Sequence, residues 1–228
     1  MNANEVLAAL ESMGTAQNCK VYARHGVGEN MYGVSYANLG QLRKRIKMDH
    51  ALAQKLWGTG NHDARVLAAM IADPAQADAR WLEARAKELD NYVATDAFVG
   101  LVSRTWLAHK KAEKWASSKN EWIGRAGWHL IAHLALQDND LPDKFFEGYP
   151  AIMVKEIHQR KNRTREAMNS ALIAIGARNA ALEKKALAAA KKIGVVEIDH
   201  GKTGCKTPDA ATYIVKARQR KLTKSEMR

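Results

Sequence analysis

Three similar stretches of sequence are decisive for the fold: DARVLA at residues 63–68, GRAGW at 124–128 and REAMN at 165–169. Each places an arginine among small and apolar residues at helical spacing. A further helical pattern over residues 96–109 fits the interval between the first two stretches. The resulting period of about 30 to 40 residues is typical of proteins built from repeated pairs of antiparallel helices.

Helical periodicity continues on both sides of these stretches, and alternating strand patterns are nearly absent. The predicted helices cover residues 4–13, 39–46, 50–57, 62–72, 75–88, 96–109, 119–136, 151–159, 164–175, 180–193 and 210–220. The pattern predicts an all-α protein, an α-solenoid of antiparallel HEAT-like helix pairs forming a curved, basic concave groove. A plain helical bundle is the alternative. We assign residues 1–228 to a single domain, with residues 195–228 as a loop-rich basic C-terminal segment.

The charge is concentrated in the last third of the chain. The 228 residues carry a net charge of +12, with 46% hydrophobic and 26% charged residues, which is typical of a globular protein rather than a disordered one. Residues 151–228 contain 18 basic and 7 acidic residues, whereas residues 1–150 contain 18 and 17. A basic field confined to one region indicates a polyanionic partner, and we favour nucleic acid over a merely soluble surface or a flexible basic tail.

Several other classes of protein are excluded by missing motifs. Two distant cysteines, Cys19 and Cys205, suit a reducing cytosol and provide no thiolate zinc site. His129 and His133 lie four residues apart, but no third ligand is evident, so we interpret them as a structural pair and predict neither metal nor cofactor. The chain has no nucleotide-binding glycine loop, no apolar stretch of about 20 residues and no signal peptide. We therefore expect a cytoplasmic protein that does not contact membranes.

The stretch DNYVATDAF at residues 90–98 contains an aromatic residue and a carboxylate four positions apart. If both Tyr92 and Asp96 are helical, they lie on one face, one turn apart. The alternative is that Asp96, after Thr95, only favours a helix N-terminus, while Tyr92 belongs to the core. Arg125 lies on a later helix and is the third candidate.

The order of short segments along residues 5–215 resembles the bacterial HEAT-like-repeat DNA alkylation repair proteins, the AlkD-like alkylpurine DNA glycosylases. The segments are YGV at 32–34, LR at 42–43, LW at 56–57, HD at 62–63 with Arg65, YVATD at 92–96, NEWIGRAGW at 120–128, DHG at 199–201 and CKTPDA at 205–210. The resemblance implies HEAT-like pairs that hold duplex DNA in a basic groove. It also implies hydrolysis of the N-glycosidic bond of cationic N3- and N7-alkylated purines.

The resemblance also implies the roles of individual residues. The family's catalytic aspartate falls on Asp96, its nearby tryptophan on Tyr92 and its backbone-contacting arginine on Arg125. The chain departs from the family pattern at Tyr92, at Val93 in place of an acidic residue, and at Ser170 in place of a second tryptophan. No lysine nucleophile is implied, so the enzyme is expected to be a monofunctional glycosylase that leaves the damaged base in the stack.

The partner we expect is duplex DNA containing alkylated purines, bound by a monomer. The predicted DNA-binding residues outside the catalytic group are Arg43, Lys44, Arg65, Trp128, Lys161, Arg163 and Arg165. Two alternatives use the same scaffold. One is a non-catalytic HEAT-repeat protein that binds bent or branched DNA, and the other is a solenoid whose basic third binds an acidic protein.

Overall fold

The computed structural model describes residues 1–226. Within that range it contains thirteen α-helices, and the only β-type pairing is a single bridge between Gly14 and Val34. The all-α prediction is confirmed. In the same range, no helix has the length and apolar character needed to cross a membrane. Residues 227 and 228 of the predicted domain lie outside the described residues.

The contacts divide the chain into two compact units, so the single domain stays a prediction. The first unit comprises residues 1–108 and 200–204. Its central helix is α5, which packs against α1, α3, α4 and α7 through buried residues such as Val66, Leu67 and Ile71. The helices of this unit are α1 (Ala3–Met13), α2 (Ala16–Arg24), α3 (Tyr36–Ile46), α4 (His50–Gly58), α5 (His62–Ile71), α6 (Ala79–Lys87) and α7 (Tyr92–Val102).

The second unit comprises residues 109–199 and the chain from Cys205 onward. Its central helix is α11, which packs against α9, α10, α12 and α13. Its elements are α8 (Ala108–Ala116, beginning at the boundary), α9 (Glu121–Gln137), α10 (Tyr149–Glu156), α11 (Asn162–Arg178), α12 (Ala180–Ile193) and α13 (Ala210–Glu226), with 3-10 turns at Asp143–Phe145 and Ile157–Gln159.

Three elements differ from the sequence prediction. Helix α2 lies outside the predicted helices, and none of its residues is fully buried. The single helix predicted over residues 96–109 is wrong: α7 ends at Val102, and α8 begins at Ala108 after a turn. Helix α13 extends to Glu226, so the predicted loop-rich segment is irregular only up to residue 209.

Polar side chains define where most helices begin. At nine helix starts the side-chain oxygen of the N-cap residue accepts a hydrogen bond from a backbone N–H of the first turn. Each such contact stabilises the protein by about 1 kcal/mol. These residues are Asn2, Thr15, Ser35, Asp49, Asn61, Asp78, Asn91, Asn120 and Asn179. The helix starts are thus encoded locally.

Asp63 ties α5 to the segment that leads into α3. Its side chain has no exposed surface, and its oxygens accept hydrogen bonds from the backbone N–H groups of Tyr32, Gly33 and Val34 at 2.7, 3.1 and 2.9 Å. Gly33 has a φ of +78°, and a Cβ atom there would lie 2.6 Å from both Cys19 Sγ and the Thr15 carbonyl oxygen. The segment therefore requires a glycine, and Asp63 fixes its path.

In the second unit, two buried arginines satisfy carbonyl groups at the ends of helices. Arg160 donates to the carbonyl of Ala116, the last residue of α8, at 2.6 Å and to that of Ser118 at 2.7 Å. Arg178 does the same at the end of α9, where it donates to the carbonyls of Ala135, Asp138 and Leu141. The last carbonyls of a helix lack partners within it, so these contacts hold α8 and α9 to later helices.

We expect Asp63→Ala to lower the free energy of unfolding by about 3–5 kcal/mol, because it leaves three backbone N–H groups without an acceptor. Urea denaturation followed by circular dichroism measures the change. Asp73→Asn, in an exposed turn of the same unit, is the control and should alter stability by less than about 0.5 kcal/mol. A loss below about 1 kcal/mol in Asp63→Ala would contradict this role.

Candidate nucleic-acid interface

Helix α7 places Tyr92 and Asp96 on one face. Asn91 is the N-cap, Tyr92 is the first helical residue and Asp96 follows one turn later. Both side chains are half-buried, whereas Thr95 is fully buried and its hydroxyl donates to the Asn91 carbonyl at 2.7 Å. The alternative in which Asp96 marks a helix start is therefore wrong, because the helix begins four residues earlier.

Tyr92 is held in place by a residue from the end of α2. Its hydroxyl hydrogen-bonds with Nδ1 of His25, and the two rings meet edge to face with centroids 5.7 Å apart. His25 is the C-terminal capping residue of α2, the helix that the sequence pattern does not reveal. This contact fixes the orientation of the Tyr92 ring on the α7 face.

A second tyrosine, Tyr36, lies in the electrostatic field of Asp96. It begins α3 and is 49% exposed. Partial burial, followed by the Asp96 carboxylate and smaller contributions from Tyr22 and Tyr92, raises the pKa of Tyr36 to about 12. The Tyr36 phenol and the Asp96 carboxylate are therefore close enough to interact electrostatically.

Arg125 is buried and paired. It is 3% exposed, and its Nη1 lies 2.8 Å from Oε2 of Glu166 and 3.3 Å from the Arg163 carbonyl oxygen. Arg163 approaches the same Glu166 oxygen at 3.0 Å. Burial raises the pKa of Glu166, but the charges and hydrogen bonds of the two arginines outweigh it, and the net shift is downward. Arg125 belongs to the second unit and Asp96 to the first, so their convergence stays a prediction.

Trp128 does not belong to a DNA-binding surface, and that prediction is wrong. It is 1% exposed and packs edge to face on Tyr149 with ring centroids 5.6 Å apart. Its position on the inner side of α9 places it in the core of the second unit, so it cannot replace the aromatic surface that the family pattern has at Ser170.

The predicted basic contacts on α11 differ in accessibility. Lys161, the residue before the helix, is exposed. The side chain of Arg163 is only 14% exposed and is paired with Glu166. Arg165 donates to the carbonyls of Glu197 at 2.8 Å and Arg160 at 3.0 Å, and so braces the chain that follows α12.

Arg65 in the first unit is likewise engaged within the protein. Its guanidinium lies 3.9 Å from the Glu88 carboxylate and 3.7 Å from that of Asp90, and it stands over the Trp57 ring at 5.9 Å. With 17% of its side chain exposed, it joins α5 to the turn before α7. Its DNA contact stays a prediction.

Arg43 and Lys44 line a surface cleft of about 490 Å³, which we call the α3 cleft. It lies at the C-terminal ends of α3 and α5 and beside the turn after α7. Its lining residues are Gly40, Arg43, Lys44, Lys47, Met48, Met70, Ala72 and Arg104. Two of the predicted DNA-binding residues thus lie in one cleft with Lys47, from the same basic stretch, and with Arg104, which the sequence analysis does not single out.

The residues that sequence reasoning missed are those supplied from a distance. His25 lies 67 residues before Tyr92, and Glu166 lies 41 residues after Arg125. Tyr36 stands 60 positions before Asp96, on another helix. No local spacing connects such pairs, and only the packing of α3 and α7 against α5, and of α9 against α11, brings them together.

The chain belongs to the DNA alkylation repair enzyme family, whose model matches residues 4–214. It is 31% identical to an uncharacterized protein, Lin0241, of Listeria innocua serovar 6a, and 30% identical to an uncharacterized protein, Lmo0209, of Listeria monocytogenes serovar 1/2a. Each match covers 94% of this chain and 95% of the relative. The resemblance to the HEAT-like-repeat family is confirmed.

A solved structure is also similar, with a TM-score of 0.89 and 28% sequence identity over 97% of this chain and 95% of that one. It is described as a new family of proteins related to the HEAT-like repeat DNA glycosylases with affinity for branched DNA structures. The match confirms the HEAT-like fold.

We expect Asp96→Asn to lower the pKa of Tyr36, because the carboxylate that disfavours the phenolate is gone. Titration of the Tyr36 ring by NMR measures this shift. Asp73 is not among the charges that act on Tyr36, so Asp73→Asn should leave the pKa of Tyr36 at about 12. An unchanged Tyr36 pKa in Asp96→Asn would show that the two groups do not interact.

Acidification should weaken the Glu166–arginine contacts. The folded-state pKa of Glu166 lies below its unfolded value of about 4.3, so its stabilising effect is complete above that pH and is lost as the pH falls through the folded pKa. The difference in unfolding free energy between wild type and Glu166→Gln should therefore shrink between about pH 5 and pH 3. Urea titrations at each pH measure it, and a constant difference would contradict the assignment.

Proposed function

We propose that this protein is a monofunctional DNA glycosylase that hydrolyses the N-glycosidic bond of cationic N3- and N7-alkylated purines in duplex DNA. The observation that carries the proposal is the α7 face, where Tyr92 and Asp96 lie one turn apart and half-buried. Membership of the DNA alkylation repair enzyme family supports the same chemistry.

Asp96 stabilises the charge that develops on the sugar. An alkylated purine already carries a positive charge, so it leaves without a general acid. As it departs, the deoxyribose acquires oxocarbenium character, and a carboxylate next to the sugar stabilises that cation and orients the attacking water. The phenol of Tyr36, whose pKa is raised partly by this carboxylate, is the neighbouring group that we expect to interact with it.

Tyr92 supplies an aromatic face to the cationic nucleotide. A cation over such a ring gains about 0.5–2 kcal/mol, and the contact with His25 holds the ring in one orientation. Because Trp128 is in the core, tyrosine replaces tryptophan as the aromatic surface.

Arg125 and the basic residues hold the backbone of the duplex. Arg125, which is held by its ion pair with Glu166, is the residue that the family resemblance assigns to a phosphate of the duplex. Most of the affinity comes from lysine and arginine contacts with phosphates. Lys161, which is exposed, is the most accessible of the predicted contacts on α11.

A second candidate function is non-catalytic binding of branched DNA. The solved relative is described as having affinity for branched DNA structures. Arg125 is buried in an ion pair with Glu166, and Ser170 has a small side chain where the family pattern has tryptophan. Both features leave fewer side chains to contact a damaged nucleotide, which favours the same function.

The test is the release of free base from duplex DNA containing N7-methylguanine under single-turnover conditions. Wild type should release the base, and Asp96→Asn should be at least about 100-fold slower, the usual cost of removing one group that stabilises transition-state charge. Asp73→Asn is the matched control and should act as wild type.

The same proteins distinguish the second candidate. The glycosylase is rejected if wild type releases no base. Branched-DNA binding is supported if wild type also binds a four-way junction tightly and in a salt-sensitive way, and Asp96→Asn leaves that binding unchanged.

A further inference from the structure

The α3 cleft concentrates positive charge without a balancing carboxylate. Arg43, Lys44 and Lys47 come from the end of α3, and Arg104 comes from the turn after α7. All four side chains are exposed, and no acidic residue lines the cleft. Among the described side chains, none of the four forms an ion pair. Burial and the charge of Arg43 lower the pKa of Arg104, so the guanidinium groups repel one another, and a bound anion would relieve that repulsion.

The shape of the cleft fits an extended ligand. Its volume of about 490 Å³ lies in the range of sites that hold a molecule larger than a single ion. Met48, Met70 and Ala72 add apolar surface to its lining. A Cβ atom on Gly40 would meet no atom within 4 Å, so the side next to α3 is open. Cations at the C-terminal end of α3 also interact favourably with the helix dipole. That interaction does not account for Arg104, which follows α7 and lines the same cleft.

An exposed tryptophan lies next to the cleft along the chain. Trp106 is 73% exposed, although a large aromatic side chain normally gains free energy from burial. It follows Arg104 by two residues, so the two Cα atoms are at most about 7 Å apart. A cationic groove combined with an accessible aromatic ring is the arrangement that binds single-stranded nucleic acids, in which phosphates contact the cations and a base stacks on the ring.

We propose that the α3 cleft binds single-stranded DNA, with successive phosphates on the cationic groups and one base stacked on Trp106. A duplex keeps its bases stacked on each other and offers no free base face, so the aromatic ring selects an unpaired strand. The inference rests on the proposed function only in that DNA is the ligand, because it requires neither a lesion nor Asp96.

The experiment measures the binding of fluorescein-labelled oligothymidylate by fluorescence anisotropy at several salt concentrations. Wild type should bind. Trp106→Ala should weaken binding at least about fivefold through the loss of stacking, and Trp106→Phe should recover part of it. Arg104→Gln should weaken binding and lower the slope of log affinity against log salt by about 0.7, the value for one phosphate contact of a single strand.

Arg45→Gln is the matched control, since Arg45 is exposed on α3 but does not line the cleft. It should bind as wild type does, and circular dichroism should show that all variants are folded. The proposal is overturned if wild type does not bind oligothymidylate, if Trp106→Ala binds as wild type does, or if Arg45→Gln and Arg104→Gln lose affinity equally. The proposal would also be overturned if heparin displaced oligothymidylate equally well from wild type and from Trp106→Ala, since the cleft would then be a general polyanion site.

The base-release assay separates this proposal from the glycosylase. Trp106→Ala and Arg104→Gln should release N7-methylguanine from a duplex as wild type does, and Asp96→Asn should bind oligothymidylate as wild type does. Release without oligothymidylate binding rejects the cleft proposal alone. Oligothymidylate binding that follows the variants, without base release, rejects the glycosylase and supports the cleft.

Discussion

The buried carboxylate of Asp63 is the constraint on which the first unit depends. A charged group without exposed surface is tolerated only when it is fully hydrogen-bonded, and three consecutive backbone N–H groups meet that requirement. The segment 32–34 must therefore follow a fixed path over α5, and it leads directly into α3. Helix α3 in turn carries Tyr36 at its beginning and the cations of the α3 cleft at its end. One carboxylate thus sets the position of the helix that carries both.

In the second unit, buried arginines rather than a buried carboxylate hold the backbone in position. Arg160 and Arg178 donate to carbonyl groups at and just beyond the ends of α8 and α9, where acceptors lack partners within the helix. These bonds join segments about 40 residues apart in sequence, which is close to the period of the repeat. Charge-to-backbone hydrogen bonds are directional, so they fix the register between helix pairs more strictly than apolar packing alone.

Paired and unpaired cations have different roles in this protein. Arg65, Arg125 and Arg163 are held by carboxylates and contribute to the order of the structure around them. The cations of the α3 cleft have no such partner among the described residues, so their charge is directed to solvent and to any anion there. A count of basic residues cannot make this distinction, although it does indicate a polyanionic partner.

Local features of the sequence determine much of the architecture. The Asn, Asp, Ser and Thr residues at the helix starts and the four-residue spacing of Tyr92 and Asp96 act within one or two turns of helix, which is why they can be recognised without a structure. The order of short segments also identifies the family. Each of these signals is carried by residues that are neighbours in sequence.

Only the tertiary structure decided which side chains are accessible and which distant groups meet. Trp128, which the sequence analysis assigns to a DNA-binding surface, is 1% exposed, whereas Trp106 is 73% exposed. Helix α2 has no fully buried residue, but its end supplies His25 to Tyr92. Likewise, Glu166 reaches Arg125 because α9 packs on α11. Burial and pairing depend on segments far apart in the chain, and local propensity carries no information about them.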